Sequence, residues 1–276
     1  MSASNGGLVR RYGPAAVVTG ASDGIGLAIA RRLAVEGFDL VLVARRAARL
    51  EEVAAELRRE CGRDVRTIAA DMASPAGIGA VLDATINKDV GLLVAAAGFG
   101  TSGPFVDGRL DDELSMIDVN CRAVVALAQP FARRFVARRR GGIVLMSSLV
   151  AFQGVPRAAV YSATKAFVQN FAEALRIELA GASVDVLACA PGPVASGFAA
   201  RARMTMGLAE NTTAVARGTL AALGRRAVVR PGWLAKGLEA SLSLLPRALR
   251  VRVMALVMAG MARQLNGNDK SAAVRQ

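Results

Sequence analysis

The chain has 276 residues, 53% of them hydrophobic, with no histidine, three cysteines and a net charge of +13. That length and hydrophobicity suit one α/β domain or two small ones and exclude a disordered chain. The missing histidines exclude a Ser-His-Asp triad and most zinc chemistry, so no metal is expected. Cys61, Cys121 and Cys189 are odd in number and far apart, which points to buried thiols in a reducing, cytoplasmic setting. The longest uncharged run, residues 90–106, is broken by Gly98, Gly100, Gly103 and Pro104 and makes a poor membrane span. Residues 1–13 have no apolar stretch that reads as a signal peptide. The basic excess is uneven. Residues 201–276 carry 13 lysines and arginines against 3 acids, or +10, which leaves +3 for residues 1–200. That quarter has no zinc finger, aromatic RNA-binding strand or basic zipper, so nucleic acid is not an expected partner.

After the lead of residues 1–13, strand and helix alternate. "AAVVT" (15–19) predicts a first strand and "LAIARRLAVEG" (27–37) a helix closed by Gly37. "DLVLVA" (39–44) predicts the next strand and "LEEVAAELRRECG" (50–62) a helix with a charged face. "VRTIAA" (65–70), "GLLVAAA" (91–97), "GGIVLMS" (141–147) and "VDVLACA" (184–190) continue the strand series, with helices over 111–139 and 158–180. Near-continuous apolar runs suit strands buried on both faces of a parallel sheet, and right-handed crossovers make the fold a Rossmann-type doubly wound α/β domain over 14–230. Beyond Gly192 the regularity fails. Residues 191–213 read as a loop or flap, 231–265 as a helical C-terminal extension and 266–276 as a frayed tail.

"TGASDGIG" (19–26) lies between the first strand and the first helix. Gly20, Gly24 and Gly26, with Ser22, Asp23 and Ile25, would let the backbone turn tightly against a pyrophosphate at the helix N-terminus. Without a ligand, the same residues are a Gly-rich turn. Arg45, 19 residues after Gly26 and followed by Arg46, stands where a dinucleotide fold reads the ribose 2′ position. An arginine there suits a 2′-phosphate, so NADP(H) ahead of NAD(H). The plainer alternative is two solvated arginines at a strand end. In "AVYSATKAF" (159–167), Tyr161 and Lys165 share a helix face at i and i+4. A nearby ammonium favours a phenolate, so such a pair can do acid–base work without histidine.

These motifs and their order resemble the short-chain dehydrogenase/reductase family, in its single-domain branch, over residues 14–230. The resemblance rests on TGASDGIG, Asp71 after the third strand, Asn120 in "IDVN", Ser148 in "MSS" 13 residues before Tyr161, the Tyr161-x-x-x-Lys165 pair, and Pro191-Gly192. It implies that Tyr161 protonates a carbonyl oxygen as hydride leaves a nicotinamide, or accepts the proton in reverse. Ser148 would position that oxygen, Lys165 would hold the nicotinamide ribose and lower the tyrosine pKa, and Asn120 would support a relay water. Asp71, with Met72, would meet the adenine. Ala97 and Gly98 would allow a close backbone approach, and Pro191, Gly192, Val194 and Ser196 would lie near the nicotinamide. The family usually has Asn-Asn-Ala-Gly where this chain has Ala95-Ala96-Ala97-Gly98, so two tying amides are missing. Asp23 is a second departure, because NADP-preferring relatives often have a basic residue there.

Phe198, Met204, Met206, Leu208, Trp233 and Leu234 make the substrate segment apolar, so a hydrophobic ketone or 3-oxoacyl group, or the matching alcohol, is the expected substrate. Residues 228–261 resemble, more loosely, the C-terminal extension of the long-chain 3-oxoacyl reductase and 17β-hydroxysteroid dehydrogenase-like subgroup. On a helix Arg247 and Arg250 lie about 60° apart and Arg252 about 140° from Arg247, so the arginines do not form one basic face. Packing of the extension against a second subunit is the expected arrangement. Coenzyme A, an acyl carrier protein or an anionic membrane surface stay open as uses for the charge. A homodimer or homotetramer is expected. The rival reading is a catalytically silent NADP-binding redox sensor.

Overall fold

The structure is a computed structural model that describes residues 7–202, 209–232, 237 and 245–259. Seven parallel strands form one sheet in the order β3-β2-β1-β4-β5-β6-β7. They are β1 (Ala15–Thr19), β2 (Asp39–Ala44), β3 (Val65–Ala69), β4 (Val90–Ala95), β5 (Gly141–Met146), β6 (Val184–Cys189) and β7 (Val228–Val229). The helices are α1 (Gly7–Tyr12), α2 (Gly24–Val35), α3 (Ala47–Cys61), α4 (Pro75–Thr85), α5 (Leu110–Ile117), α6 (Ala123–Ala137), α7 (Ala159–Ala180), α8 (Phe198–Arg201) and α9 (Thr212–Ala222). Residues 247–259 are also helical. The chain runs outward from β1 to β3, then returns to the other side of β1 at β4. That reversal opens a crevice at the strands' C-terminal ends, the ligand position in open α/β sheets.

Strand burial explains the fold. Along β1, Val17 joins one apolar layer with residues of α6 and α7, such as Phe131 and Val168, while Ala16 and Val18 join the other, with Ile29 of α2 and Leu220 of α9. Successive side chains of a strand point to opposite faces, so both faces of β1 must be apolar. Each fully buried aliphatic side chain contributes about 1.5–3 kcal/mol.

Two elements differ from expectation. The helix expected over 111–139 is three pieces, α5, a π-helical turn at Asp118–Arg122, and α6, which accommodates Pro130. The lead holds α1, whose Tyr12 is buried and donates its phenolic proton to Asp185 on β6 at 2.9 Å, beside an Arg11–Asp185 ion pair at 2.7 Å. Burial and the Asp185 charge push the Tyr12 phenol well above its ordinary range. One of the two tyrosines is therefore structural.

Candidate active site

The glycine turn forms where β1 feeds α2. A Cβ on Gly20 would lie 2.8 Å from the Ala96 carbonyl oxygen, and one on Gly26 would lie 2.4 Å from the Gly20 carbonyl oxygen. Those approaches admit only glycine and leave a backbone-lined cradle at the start of α2. Asp23 caps that helix, its carboxylate accepting from the Gly24 amide at 2.7 Å. This accounts for an acid in a basic neighbourhood. The chain after β4, where the two asparagine amides are missing, is tied by a residue not singled out in the sequence. The Thr19 hydroxyl accepts from the amides of Ala96 and Ala97 at 3.1 and 3.0 Å. The "TG" dipeptide that opens the glycine motif held the signal for it.

Arg45 and Arg46 leave the end of β2 on the exposed side of the same crevice, and Arg46 donates to the Ser22 hydroxyl at 3.3 Å. Asp71 follows β3, and its carboxylate accepts from the Ala73 amide at 3.0 Å. Beyond β6, Ser196 packs 3.2 Å from where a Gly24 Cβ would stand, which brings the segment after Pro191 back against the glycine turn.

On the other side, β5 delivers Ser148 and α7 delivers Tyr161 and Lys165. The Lys165 ammonium donates to the Met146 carbonyl at 2.8 Å and sits 5.8 Å from the centre of the Tyr161 ring. Burial pushes the Tyr161 phenol up to about 12, against a hydrogen bond with Ser148 that pulls it back. Burial also holds Lys165 down to about 8. In the chain alone burial sets the Tyr161 pKa, and the lowering by Lys165 that the resemblance implies is not seen.

Asn120 sits in the π-helical turn and is buried. Its amide donates to the Phe99 carbonyl at 2.9 Å and to the Thr164 hydroxyl at 3.0 Å, while its oxygen accepts from the Phe99 amide at 3.2 Å. It clamps the chain after β4 to α7. Short π-helical insertions are frequent at functional sites.

A cavity of about 790 Å³ lies along this crevice. It is lined by Ser148, Tyr161 and Lys165 and by every one of the expected cofactor residues, including Met72, Ala97, Gly98, Pro191, Gly192 and Val194. Asn120 stands behind the wall. The far end is apolar, built from Phe152, Val155, Phe198, Val253, Met254 and Met258. Phe198 packs on Tyr161, ring centres 5.4 Å apart. Helix 247–259 therefore turns one face to its own cleft. Arg201 and Arg250 also line the cavity and were not foreseen there. Met204, Met206, Leu208, Trp233, Leu234 and the tail lie outside the described residues.

The glycine cradle and the adjoining guanidiniums fit a dinucleotide phosphate, and the hydroxyl pair beside an apolar wall fits a carbonyl. Among the described residues no three His, Cys, Asp or Glu could hold a metal ion, and no helix is long and apolar enough to cross a membrane.

Residues 14–207 match the family model for short chain dehydrogenase. A 7beta-hydroxysteroid dehydrogenase of Mediterraneibacter gnavus is 31% identical over 179 residues, which cover 65% of this chain and 68% of that protein. A very-long-chain 3-oxoacyl-CoA reductase of Podospora anserina is 35% identical over 190 residues, covering 66% of this chain and 56% of that protein. A solved short-chain dehydrogenase from Sphingobium yanoikuyae in complex with NADPH superposes with a TM-score of 0.76 at 32% identity, over 85% of this chain and 97% of that one.

Proposed function

The chain belongs to the short-chain dehydrogenase/reductase family, an oxidoreductase interconverting C=O and CH–OH groups with a nicotinamide cofactor, and from that premise we propose an NADP(H)-preferring enzyme for large apolar ketones or 3-oxoacyl groups, with Tyr161 as acid and base. The observation that carries the reading is that one cavity holds both ends of the site. Its glycine-lined end and its apolar end meet at Tyr161 and Ser148. A nicotinamide cofactor bound there supplies or takes up the hydride.

The chain's own groups handle the proton and the geometry. Ser148 and Tyr161, both on the cavity wall, offer two hydroxyls to one carbonyl oxygen. A phenol held near 12 stays protonated at neutral pH, which suits a proton donor in the reductive direction. Lys165, close under the Tyr161 ring, is poised near neutrality to hold a ribose hydroxyl and pass on a proton. Asn120 holds the backbone at Phe99, so its effect on proton transfer runs through the position of that backbone. Phe198, Met254 and Met258 keep water from the reacting carbon.

Arg45 and Arg46 form the 2′-phosphate end, since the fork of guanidinium N–H donors can pair two phosphate oxygens at once. A steroid and a very long acyl chain, the skeletons in the relatives' names, are both large and apolar, as the far wall requires. The basic C-terminal quarter suits a phosphate-bearing carrier of such a group, coenzyme A or acyl carrier protein, ahead of a lipid surface. A panel of steroid ketones and 3-oxoacyl thioesters should give substrate-dependent NADPH oxidation. Arg45→Asp should weaken NADPH binding by about 1.5–3 kcal/mol and spare NADH. Tight cofactor binding with no turnover on any ketone would favour the silent sensor, and equal losses for both cofactors would remove Arg45 from the 2′-phosphate.

A further inference from the structure

The segment from Ser196 to Ala202 forms a strap over the crevice. At one end Gly197 sits so close to Asp23 that a Cβ would stand 2.5 Å from its carboxylate. At the other, the Ala202 carbonyl accepts from the Ser102 hydroxyl at 2.6 Å. Between them α8 places Phe198 on Tyr161 and ends at Arg201. The Arg201 guanidinium carbon lies over the Phe99 ring, 4.2 Å from its centre. Stacking uses the face of a guanidinium and leaves its N–H edge to donate. That edge has no carboxylate within ion-pair distance among the described residues.

Arg201 shares the cavity wall with Arg45 and Arg46. Burial holds its guanidinium below the ordinary value, and the Arg45 charge pushes the same way. Asp112 and Asp71 oppose this from longer range. Asp23, also on the cavity lining, caps α2 by accepting from the Gly24 amide through Oδ1. Arg45, Arg46 and Arg201, from two separate segments, line one cavity and suit an anionic ligand there.

Resting on the dinucleotide reading above, we propose that Arg201 binds a phosphate of the cofactor from the strap, so that the segment covering the substrate is also a cofactor contact. The anion is either the pyrophosphate, common to both nicotinamide dinucleotides, or the 2′-phosphate of NADP(H). Binding would then hold α8 on the crevice and Phe198 against Tyr161, coupling cofactor occupancy to the shape of the apolar end.

Calorimetric titration of the full chain with NADPH and with NADH tests this. Arg201→Met keeps an apolar chain on Phe99 and removes the charge. It should weaken binding of at least one cofactor about tenfold or more, and Arg201→Lys should restore part of the loss. Loss with both cofactors assigns the pyrophosphate, and loss with NADPH alone assigns the 2′-phosphate. Wild-type affinity for both cofactors in Arg201→Met would overturn the proposal. So would equal losses in the lysine and methionine variants with unchanged melting, because stacking alone would then explain Arg201. A wild-type chain that binds neither cofactor would sink the dinucleotide reading itself, and this inference with it.

Discussion

Tyr161 and Lys165 are buried side by side, and burial acts on them in opposite senses. The phenol is pushed up to about 12 and the ammonium down to about 8, so each is driven towards its neutral form. The pair read from "AVYSATKAF" is thus correct in geometry, while its electrostatics could not be read from spacing, because desolvation depends on the surrounding core. A consequence concerns stability. Between about 8 and the unfolded value of 10.5, the unfolded chain still holds the lysine proton and the folded chain has lost it. Folding stability therefore rises with pH across that window, relative to a chain without this group. Without cofactor, the melting temperature of the wild type should gain on that of Lys165→Met as pH increases from 8 to 10. Parallel curves would show that Lys165 is not desolvated as described. Asp23 and Thr19 make the same point about legibility. Their residue types were visible, but their roles as helix cap and loop tie depend on backbone amides that only the fold brings within reach.

The elements most legible in the sequence are those buried on both faces. The expected 15–19 and 39–44 strands coincide with β1 and β2, since an apolar run between a turn and a helix start has few other solutions. β7 is two residues long and has no periodicity to read. The π-helical turn at Asp118–Arg122 continues an amphipathic run, so no residue type marks it. The face that helix 247–259 turns inward was not legible in the sequence, because its arginines share no face. It is in fact sorted by the cleft, with Val253, Met254 and Met258 on the cavity wall and Leu256 exposed. If that helix shapes the substrate end, Met254→Trp should overpack it, a cost of about 1–3 kcal/mol. We expect kcat/KM for a steroid-sized ketone to fall about tenfold or more while a small aliphatic ketone and NADPH affinity change little. A uniform fall for both ketones would mean that the helix only supports the fold.

At the scale of the whole molecule, one sheet reversal, one cavity and one basic quarter have to be reconciled. Val124, Leu127 and Phe131 of α6 face the sheet, but Phe167 stays 42% exposed, stacked on Phe171, and Ile177 is 77% exposed on the outer face of α7. Those exposed apolar positions, with Val125 and Val136, are the surface we expect a second copy to cover. Light scattering at micromolar concentration should give two or four times the chain mass, and a monomer would contradict this. The central claim is that the cavity's two ends meet at a tyrosine that moves the proton. The most direct test is Tyr161→Phe, with NADPH affinity by titration and single-turnover reduction of an apolar ketone measured on the same preparation. Affinity within about threefold of wild type and turnover lower by at least about a hundredfold are the predicted results. Reduction at a rate near wild type, with the cofactor still bound, would contradict the account, because the proton would then come from another group.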